Sequence, residues 1–252
     1  MTETQIKPAE VEVKVSDGIY AKYIKRAMDF FLSLCAIVVL SPIMIVLTFV
    51  GAIAMKGNPF FTQLRPGKID KKTGSEKIFR LIKFRTMTCE KDKDGNLLTD
   101  DKRLTKYGKF LRSTSLDELP ELINILKGDM AVIGPRPQLV KDMVFMTERQ
   151  RMRHKVRPGL SGLAQISGRN AINWENKLEY DIEYIQNITF LGDWKIIFLT
   201  ILKVFKRENI SADGMETAED LGDWLLNCET IQIEEYNIKQ KYALRLLEAK
   251  RG

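Results

Sequence analysis

The stretch FFLSLCAIVVLSPIMIVLTFVGAIAM, residues 30–55, carries no charged residue and is interrupted near its middle by Ser41-Pro42. At about 1.5 Å per residue, a straight helix of this length would reach about 39 Å and could cross a hydrocarbon core of about 30 Å. Pro42 argues against a straight helix, because it lacks an N–H and its ring clashes with the carbonyl of Val38. Ser41 offers a hydroxyl that can satisfy the released backbone group. The segment therefore predicts a bent membrane helix with two arms of about 16–20 Å each.

Basic residues flank this apolar segment on both sides. Positive charge normally marks the cytoplasmic side of a membrane span, and an asymmetry in charge orients the span. Because both flanks are basic, we expect a re-entrant helix with both ends in the cytoplasm; a kinked single span is the alternative. A signal peptide is disfavoured, since the segment is too long and no small-residue cleavage site follows it. The flanking residues are Lys22, Lys25 and Arg26 before the segment, and Lys56, Arg65, Lys68, Lys71 and Lys72 after it.

The composition of the 252-residue chain narrows the chemistry that it can perform. A formal net charge of +7 suits nucleic acid, anionic lipid or phosphorylated substrates, and the membrane segment favours the last two. The three cysteines are scattered without metal-ligand spacing, which argues against a zinc site or a disulfide framework. His154 is the only histidine and stands between Arg153 and Lys155, so a multi-histidine metal site is excluded. Carboxylates, lysines and arginines remain as catalytic groups, with or without a divalent metal.

The chain divides into four predicted segments. We expect a flexible N-terminus at 1–20, a re-entrant membrane helix at 21–56, a cytosolic domain at 57–207 and an acidic, helical extension at 208–252. The expected fold class is helix-rich α+β, in which a small α/β domain carries a β-hairpin and interfacial amphipathic helices. Alternating apolar residues between 77 and 87 predict one hairpin strand, and Arg65-Pro66-Gly67 predicts its turn. The apolar stripe of Lys195–Arg207 either lies in the membrane interface or packs in the core.

The adjacent carboxylates Asp117-Glu118 lie in the stretch RSTSLDELP, residues 112–120. Proline is tolerated in the first helical turn but is costly further in, so Pro120 predicts a helix that begins near Asp117. A capping box formed by Ser115 and Glu118 is the alternative start. Either start places both carboxylates at the positive end of the helix dipole, which favours their ionised forms. An ionised aspartate can attack a phosphate ester, but the same pair is also ordinary helix-capping chemistry.

Attack by a carboxylate on phosphate requires their mutual repulsion to be neutralised, commonly by Mg²⁺ and arginines. Glu118 could hold such a metal, because hard cations take oxygen ligands, and Arg112 could offer its planar fork to phosphate oxygens. Arg136 stands between two prolines and is either a rigid phosphate clamp or part of a surface turn. Arg157 and Arg169 lie among several glycines, where they either cradle a nucleotide or form a basic loop.

A series of short motifs follows in a fixed order along the chain. They are KRAMD (25–29), SP (41–42), FTQ (61–63), RPG (65–67), KFRTM (83–87), LRSTSLDELP (111–120), LKGDM (126–130), GPRP (134–137) and RPGLSGLAQI (157–166). This order resembles the bacterial sugar transferases, namely the monotopic phosphoglycosyl transferases that act on polyprenyl phosphate. The resemblance covers about residues 20–207. The stretch Arg153–Trp174 is similar to small, PglC-type members, which act on a UDP-linked diacetamido sugar.

The resemblance implies an enzyme on the cytoplasmic face of the bacterial inner membrane, with Ser41-Pro42 at the kink of its re-entrant helix. It implies that Asp117 attacks the β-phosphate of a UDP-sugar and that UMP leaves. A sugar phosphate then stays on Asp117 until undecaprenyl phosphate takes it up in a ping-pong sequence. The product would be an undecaprenyl-diphosphate sugar, which begins the membrane assembly of a glycan.

The resemblance also assigns roles to individual side chains. Glu118 would act beside the nucleophile and bind Mg²⁺, while Arg112 and Arg136 would bind the phosphates of the substrate. Gln165 and Arg169 are candidates for contact with the nucleotide. The partners it implies are a UDP-sugar, undecaprenyl phosphate and the membrane, without nucleic acid; a homo-oligomer is a further option. A diacetamido sugar such as diacetylbacillosamine is one guess for the donor.

Two other functions remain open from the residues alone. In the first, the chain is a membrane-anchored scaffold whose basic surface binds lipid or nucleic acid, and Asp117-Glu118 only caps a helix. In the second, it is a metal-dependent pyrophosphatase in which water accepts the phosphoryl group. The transferase predicts UMP release and a labelled protein, the scaffold predicts neither, and the pyrophosphatase predicts sustained turnover without lipid.

Overall fold

The computed structural model describes residues 13–168, 173–206 and 219–250. The fold is helix-rich α+β, as predicted, with two small two-stranded sheets. A π-helical turn, Tyr20–Ile24, leads into the first helix. The helices are α1 (Lys25–Ala54), α2 (Asp100–Arg103), α3 (Lys106–Thr114), α4 (Glu121–Lys127), α5 (Val140–Met143), α6 (Glu148–Arg151), α7 (Leu163–Ser167), α8 (Trp174–Gln186), α9 (Phe190–Lys206), α10 (Leu221–Asn227) and α11 (Ile233–Glu248). The strands are β1 (Phe60–Ile69), β2 (Glu76–Phe84), β3 (Ala131–Ile133) and β4 (Gly159–Ser161).

Helix α1 runs continuously through Pro42. The Ser41 hydroxyl donates to the Val38 carbonyl at 2.8 Å. This is the carbonyl that Pro42 leaves without its usual N–H partner, so the predicted role of Ser41 is confirmed. Together with the preceding turn, the helix is long and apolar enough to cross a membrane, and only 11% of its most apolar stretch is buried. The helix is therefore exposed over most of its surface, unlike the core helix of a soluble protein.

One face of α1 nevertheless packs against the rest of the chain along almost its whole length. Near its beginning, Arg26 donates to the Ile125 carbonyl at 2.7 Å. Near its end, the Tyr107 hydroxyl donates to the Leu47 carbonyl at 2.8 Å. Positions on this face recur every three or four residues, as an α-helical face requires. They are Asp29, Ser33, Ala36, Ile37, Leu40, Met44, Leu47 and Gly51.

The predicted β-hairpin is confirmed, because β1 and β2 pair in antiparallel fashion. The predicted turn at Arg65-Pro66-Gly67 is wrong: β1 continues to Ile69, with a register irregularity between Pro66 and Ile69. A two-stranded sheet leaves one edge of each strand unpaired, and such an edge tolerates proline. Gly67 allows the two strands to approach closely, since a Cβ at this position would lie 2.9 Å from the Lys77 carbonyl oxygen.

The hairpin, α4 and α1 enclose one part of the core. Phe79 and Leu81 of β2 pack against Leu122 and Ile125 of α4, and residues of α1 cover them. A short parallel pair, β3 and β4, joins this part to α8 and α9. The connector 134–137 follows β3 directly, so this strand pair positions its first residue.

Helix α9 packs partly in the core, which was one alternative for the stretch Lys195–Arg207; its placement in a membrane interface stays a prediction, and residue 207 lies outside the described residues. One face is buried, with Asp193 and Ile196 turned toward the core. The opposite face is exposed and apolar. Its residues are Leu191, Trp194, Phe198, Ile201 and Leu202.

The segments near residues 16 and 221 lie against the central fold. Residues 1–12 are outside the described part of the chain, and beyond them the Ser16 N–H donates to the Ile185 carbonyl at 2.8 Å. After residue 218, the Leu221 N–H donates to Asp142 Oδ1 at 3.0 Å. Helices α10 and α11 then pack on α5 and α8 through two apolar clusters.

Candidate active site

The two predicted catalytic carboxylates lie in a single turn of 3₁₀-helix, Leu116–Glu118. The predicted helix start near Asp117 is met only by this 3₁₀ turn, because the α-helix α4 begins after Pro120. The alternative capping box is wrong: Ser115 has φ 56° and ends α3, and no side chain caps the turn that follows. Proline precedes the helix rather than entering it, and this leaves the dyad in the tight turn between two helices.

Two cations meet on one oxygen of Glu118. Lys83 Nζ lies 2.8 Å from Glu118 Oε1, and Arg136 Nη2 lies 2.5 Å from the same atom. A third carboxylate joins the group, since Lys83 Nζ is also 3.1 Å from Glu121 Oε1. We call these residues, with Asp117, the acid-base cluster. The structure therefore brings Glu118 and Arg136, both predicted as site residues, into direct contact.

Sequence reasoning missed Lys83 and Glu121 as members of this cluster. A signal for Lys83 was present, because Phe79, Leu81 and Lys83 share one face of β2 and the first two are buried. A charged residue on an otherwise buried apolar face requires a partner. Glu121 gave no comparable signal, since a glutamate in the first turn of a helix is ordinary.

The backbone that carries Arg136 is fixed from the protein interior. Arg153 Nη2 donates to the Arg136 carbonyl at 2.5 Å. The same guanidinium pairs with Asp181 Oδ2 of α8 at 2.7 Å, and the two side chains are only 1% and 2% exposed. The buried pair therefore places the connector 134–137 so that the Arg136 side chain points to Glu118.

The cluster separates the pKa values of its three carboxyl groups. Burial, with the neighbouring Glu118 charge, raises the pKa of Asp117 to about 6. Burial likewise raises the pKa of Glu121 to about 7. Burial acts on Glu118 in the same sense, but Arg136 and Lys83 outweigh it and hold its pKa well below the usual range. The expectation of a favoured ionised form is therefore met by Glu118 and not by Asp117, where burial dominates.

The other predicted binding residues occupy different places. Arg112 Nε donates to Thr86 Oγ1 at 3.2 Å. Burial raises the pKa of Asp117, and the Arg112 charge opposes that rise, so Arg112 faces the same cluster. Gln165 lies on α7, and within the described part of the chain neither of its buried amide atoms has a hydrogen-bond partner. A buried amide without hydrogen-bond partners is unfavourable, so this amide is suited to bind a ligand. Arg169 lies outside the described residues.

Two further residues singled out in the sequence form contacts within the fold. Arg157 Nε donates to the Gly128 carbonyl at 2.8 Å and so fixes the end of α4. His154 is buried, and its Nδ1 lies 3.2 Å from Glu76 Oε1. Neither residue contacts the acid-base cluster.

The carboxylates of the cluster suit Mg²⁺ only if waters and a substrate complete its ligands. Within the described residues, no three His, Cys, Asp or Glu side chains gather as a metal-binding group. Mg²⁺ commonly uses one or two carboxylates, several waters and the phosphates of a substrate. The adjacent Asp117 and Glu118 supply that number of carboxylates, so a metal here would depend on the substrate to complete its ligands.

Comparison with known proteins identifies the family. The family model for bacterial sugar transferases matches residues 20–207, which agrees with the predicted extent of the resemblance. The chain is 49% identical over 177 residues to an uncharacterised sugar transferase, EpsL, of Bacillus subtilis strain 168; the match covers 69% of this chain and 85% of that protein. It is 39% identical to the UDP-glucose:undecaprenyl-phosphate glucose-1-phosphate transferase of Klebsiella pneumoniae, with coverages of 72% and 40%.

A third relative is the UDP-N-acetylgalactosamine-undecaprenyl-phosphate N-acetylgalactosaminephosphotransferase of Aeromonas hydrophila. Its identity to this chain is 37%, with coverages of 73% and 44%. The chain thus spans less than half the length of the Klebsiella and Aeromonas proteins. The motifs, the acid-base cluster and the match over residues 20–207 lead to one conclusion. This chain is a member of the bacterial sugar transferase family.

Proposed function

We propose that this protein transfers a sugar 1-phosphate from a UDP-sugar to undecaprenyl phosphate through a covalent intermediate on Asp117. The observation that carries the proposal is the acid-base cluster, in which the half-buried carboxylate of Asp117 stands beside a glutamate that already binds two cations. The relatives named for transfer to undecaprenyl phosphate support the substrates.

In the first step, an Asp117 carboxylate oxygen attacks the β-phosphorus of the donor. A bond forms between that oxygen and phosphorus, and the bond from phosphorus to the oxygen that bridges the two phosphates breaks. UMP leaves with the bridging oxygen. In the second step, a phosphate oxygen of undecaprenyl phosphate attacks the same phosphorus, which releases Asp117 and forms the undecaprenyl-diphosphate sugar.

The cations of the cluster neutralise the charge that this chemistry accumulates. Lys83 and Arg136 are held by Glu118 at the position next to the nucleophile, and Arg112 contributes from α3. Preorganised cations of this kind stabilise the transition state without reorganisation at the moment of reaction. When Mg²⁺ is bound, it supplies further neutralisation of the phosphates, and Asp117 and Glu118 are the residues that would hold it.

The packing of α1 supports a re-entrant course for the membrane segment. Contacts near both ends, at Arg26 and Leu47, join the helix to the same folded body. A perpendicular span would carry the part of that body around Tyr107 into or across the bilayer. With both ends of α1 on the cytoplasmic side and the exposed stripe of α9 at the interface, the acid-base cluster would lie near the membrane surface, where lipid and nucleotide can meet.

The covalent step has a direct test. Brief mixing of the wild-type protein with a UDP-sugar labelled in its sugar, before acceptor is added, should give labelled protein and an equivalent amount of UMP. Asp117→Asn should lose both and lower turnover by about 10³-fold or more. Asp70→Asn, in the exposed hairpin turn, is the matched control and should behave as wild type.

Native turnover by Asp117→Asn would exclude the covalent route. Omission of undecaprenyl phosphate separates the transferase from a pyrophosphatase. The transferase should stop after one equivalent of UMP, whereas continued release without lipid would mean that water is the acceptor.

A further inference from the structure

The C-terminal segment, residues 219–250, forms a wall of the structure although the family match ends at residue 207. Trp174 Nε1 donates to the Glu219 carbonyl at 3.1 Å, and Asp220 pairs with Lys141. Ala243 is buried with Val140 of α5 in one apolar cluster. These contacts fix α11 beside the hairpin.

Between α11, the start of α5 and the hairpin lies a cavity of about 490 Å³. Its volume is in the range of small-molecule sites, which are typically about 300–1,000 Å³. The lining mixes an aromatic ring and aliphatic side chains with amides and cations. The residues that matter here are Phe61, Gln63, Arg80, Lys141, Gln240 and Leu244.

The cavity borders the acid-base cluster on the hairpin side. Phe61 is the register partner of Lys83, and paired residues of antiparallel strands have their Cβ atoms about 4.5–5.5 Å apart on the same face. On the connector side, Gln63 Oε1 accepts from Arg65 Nη2 at 2.7 Å, and Arg65 Nη1 donates to the Pro137 carbonyl at 3.0 Å. Pro137 directly follows Arg136. The cavity lining is therefore one strand pairing away from Lys83, and Arg65 links it to the connector that carries Arg136.

We infer that this cavity receives the sugar of the UDP-sugar, and that Gln240 and Leu244 of the C-terminal segment help to select that sugar. The inference rests on the proposed function, because the sugar is bonded to the β-phosphate that Asp117 would attack. A sugar ring presents apolar C–H faces and polar hydroxyl or acylamino groups. Phe61 and Leu244 suit the former, and the amides of Gln63 and Gln240 suit the latter.

Two other occupants fit the lining less well. A polyprenyl chain is wholly apolar, whereas Arg80 and Lys141 line this cavity. The nucleotide lies one phosphate further from the reacting phosphorus than the sugar does. Gln165, with its unpaired amide on α7, offers a separate contact for it.

Two variants of α11 test the assignment. Leu244→Trp adds bulk at the mouth of the cavity, and Gln240→Ala removes one amide; Ile238→Trp, on a 68% exposed side chain, is the matched control. For each protein, kcat/KM of UMP release is measured across a panel of UDP-sugars with undecaprenyl phosphate, along with inhibition by UMP. Melting temperatures close to that of the wild type verify that the variants are folded.

We expect Leu244→Trp to lower kcat/KM for the preferred donor by about 10-fold or more, and Gln240→Ala to change the ranking of sugars by about 10-fold. Inhibition by UMP, which has no sugar, should stay within about 2-fold of wild type in both variants. An equal loss of UMP affinity would assign the cavity to the nucleotide and overturn the inference. Unchanged rates and ranking beside an active wild type would overturn the inference alone. No UMP from any donor with the wild type would overturn the proposed function as well.

Discussion

The acid-base cluster and the buried Arg153–Asp181 pair meet at Arg136, yet the protein builds them differently. In the cluster, the side chains of Glu118 and Lys83 are 20% and 18% exposed, and that of Arg136 is 40% exposed. In the buried pair, the corresponding values are 1% and 2%. In the cluster, Glu118 and Glu121 pair with the cations and Asp117 lies in their electrostatic field, whereas the buried pair matches one cation with one carboxylate.

The difference shows how one protein uses the same chemical groups for two purposes. Cations that are partly accessible and bound to surplus carboxylates can transfer part of their bonding to an incoming phosphate. A fully buried pair has no such freedom, since breaking it leaves an uncompensated charge in a medium of low polarity. The cluster is therefore suited to chemistry and the pair to holding the Arg136 backbone in place.

The largest loss of activity should come from a substitution at the centre of the cluster. We expect Glu118→Gln to lower kcat/KM for UMP release by about 10³-fold, equivalent to about 4 kcal/mol, because Lys83 and Arg136 lose their common anion beside Asp117. Glu121→Gln is the matched control. It keeps Lys83 paired with Glu118 and should cost less than about 10-fold. Equal losses in the two variants would mean that the cluster works as an undifferentiated patch of charge.

The buried pair should be the stronger determinant of stability. Asp181→Asn should lower the free energy of unfolding by about 3 kcal/mol, because the Arg153 charge stays buried without a counter-charge. Glu179→Gln, on the same helix, breaks the exposed pair with Arg149 and should cost less than about 1 kcal/mol. Urea unfolding in detergent measures both. A similar small cost for the two variants would contradict the contrast between buried and accessible pairs.

The smallest expected effect is a change of stability with pH that comes from a second buried group, His154. Burial lowers the pKa of this histidine from 6.5 to about 4. The unfolded chain takes up this proton as pH falls through the ordinary value, while the folded chain does not, so stability is full at neutral pH and declines below it. We expect a loss of about 1 kcal/mol between about pH 7 and about pH 5.5. Burial opposes ionisation of Glu76, but its bonds to His154 and Arg151 hold its pKa at about 2, which keeps it charged throughout this window.

The measurement is the pH dependence of unfolding free energy for the wild type and for His154→Asn. The variant places an amide near the position of the ring Nδ1 and cannot take up a proton. Its stability should therefore change less across the same window. Identical slopes would show that other groups set the acid sensitivity.

Local patterns were enough to predict several elements. The uncharged run 30–55 predicted the long helix. As expected, the Ser41 hydroxyl donates to the Val38 carbonyl, which Pro42 leaves without an N–H partner. The alternation in β2 gave the hairpin, and Gly128, at φ 90°, ends α4 where the apolar period stops. These features depend on residues close in sequence, so the chain reveals them directly.

Other features were wrong or missed because distant contacts decide them. The hairpin turn was misplaced, since Arg65 and Pro66 belong to a strand that pairs with β2 as far as Glu76. The helix at the dyad begins later than predicted. The pKa of Asp117 rises rather than falls, because burial by the folded chain outweighs the dipole of a short turn.

The sequence by itself determined the family, the long apolar helix and the presence of the Asp117-Glu118 dyad, since each rests on short motifs or local periodicity. Only the tertiary structure decided which cations the dyad meets, how Arg153 supports Arg136, and that α11 lines a cavity beside them. The physical reason is that ion pairing and burial depend on distances between residues far apart in the chain, and folding alone sets those distances.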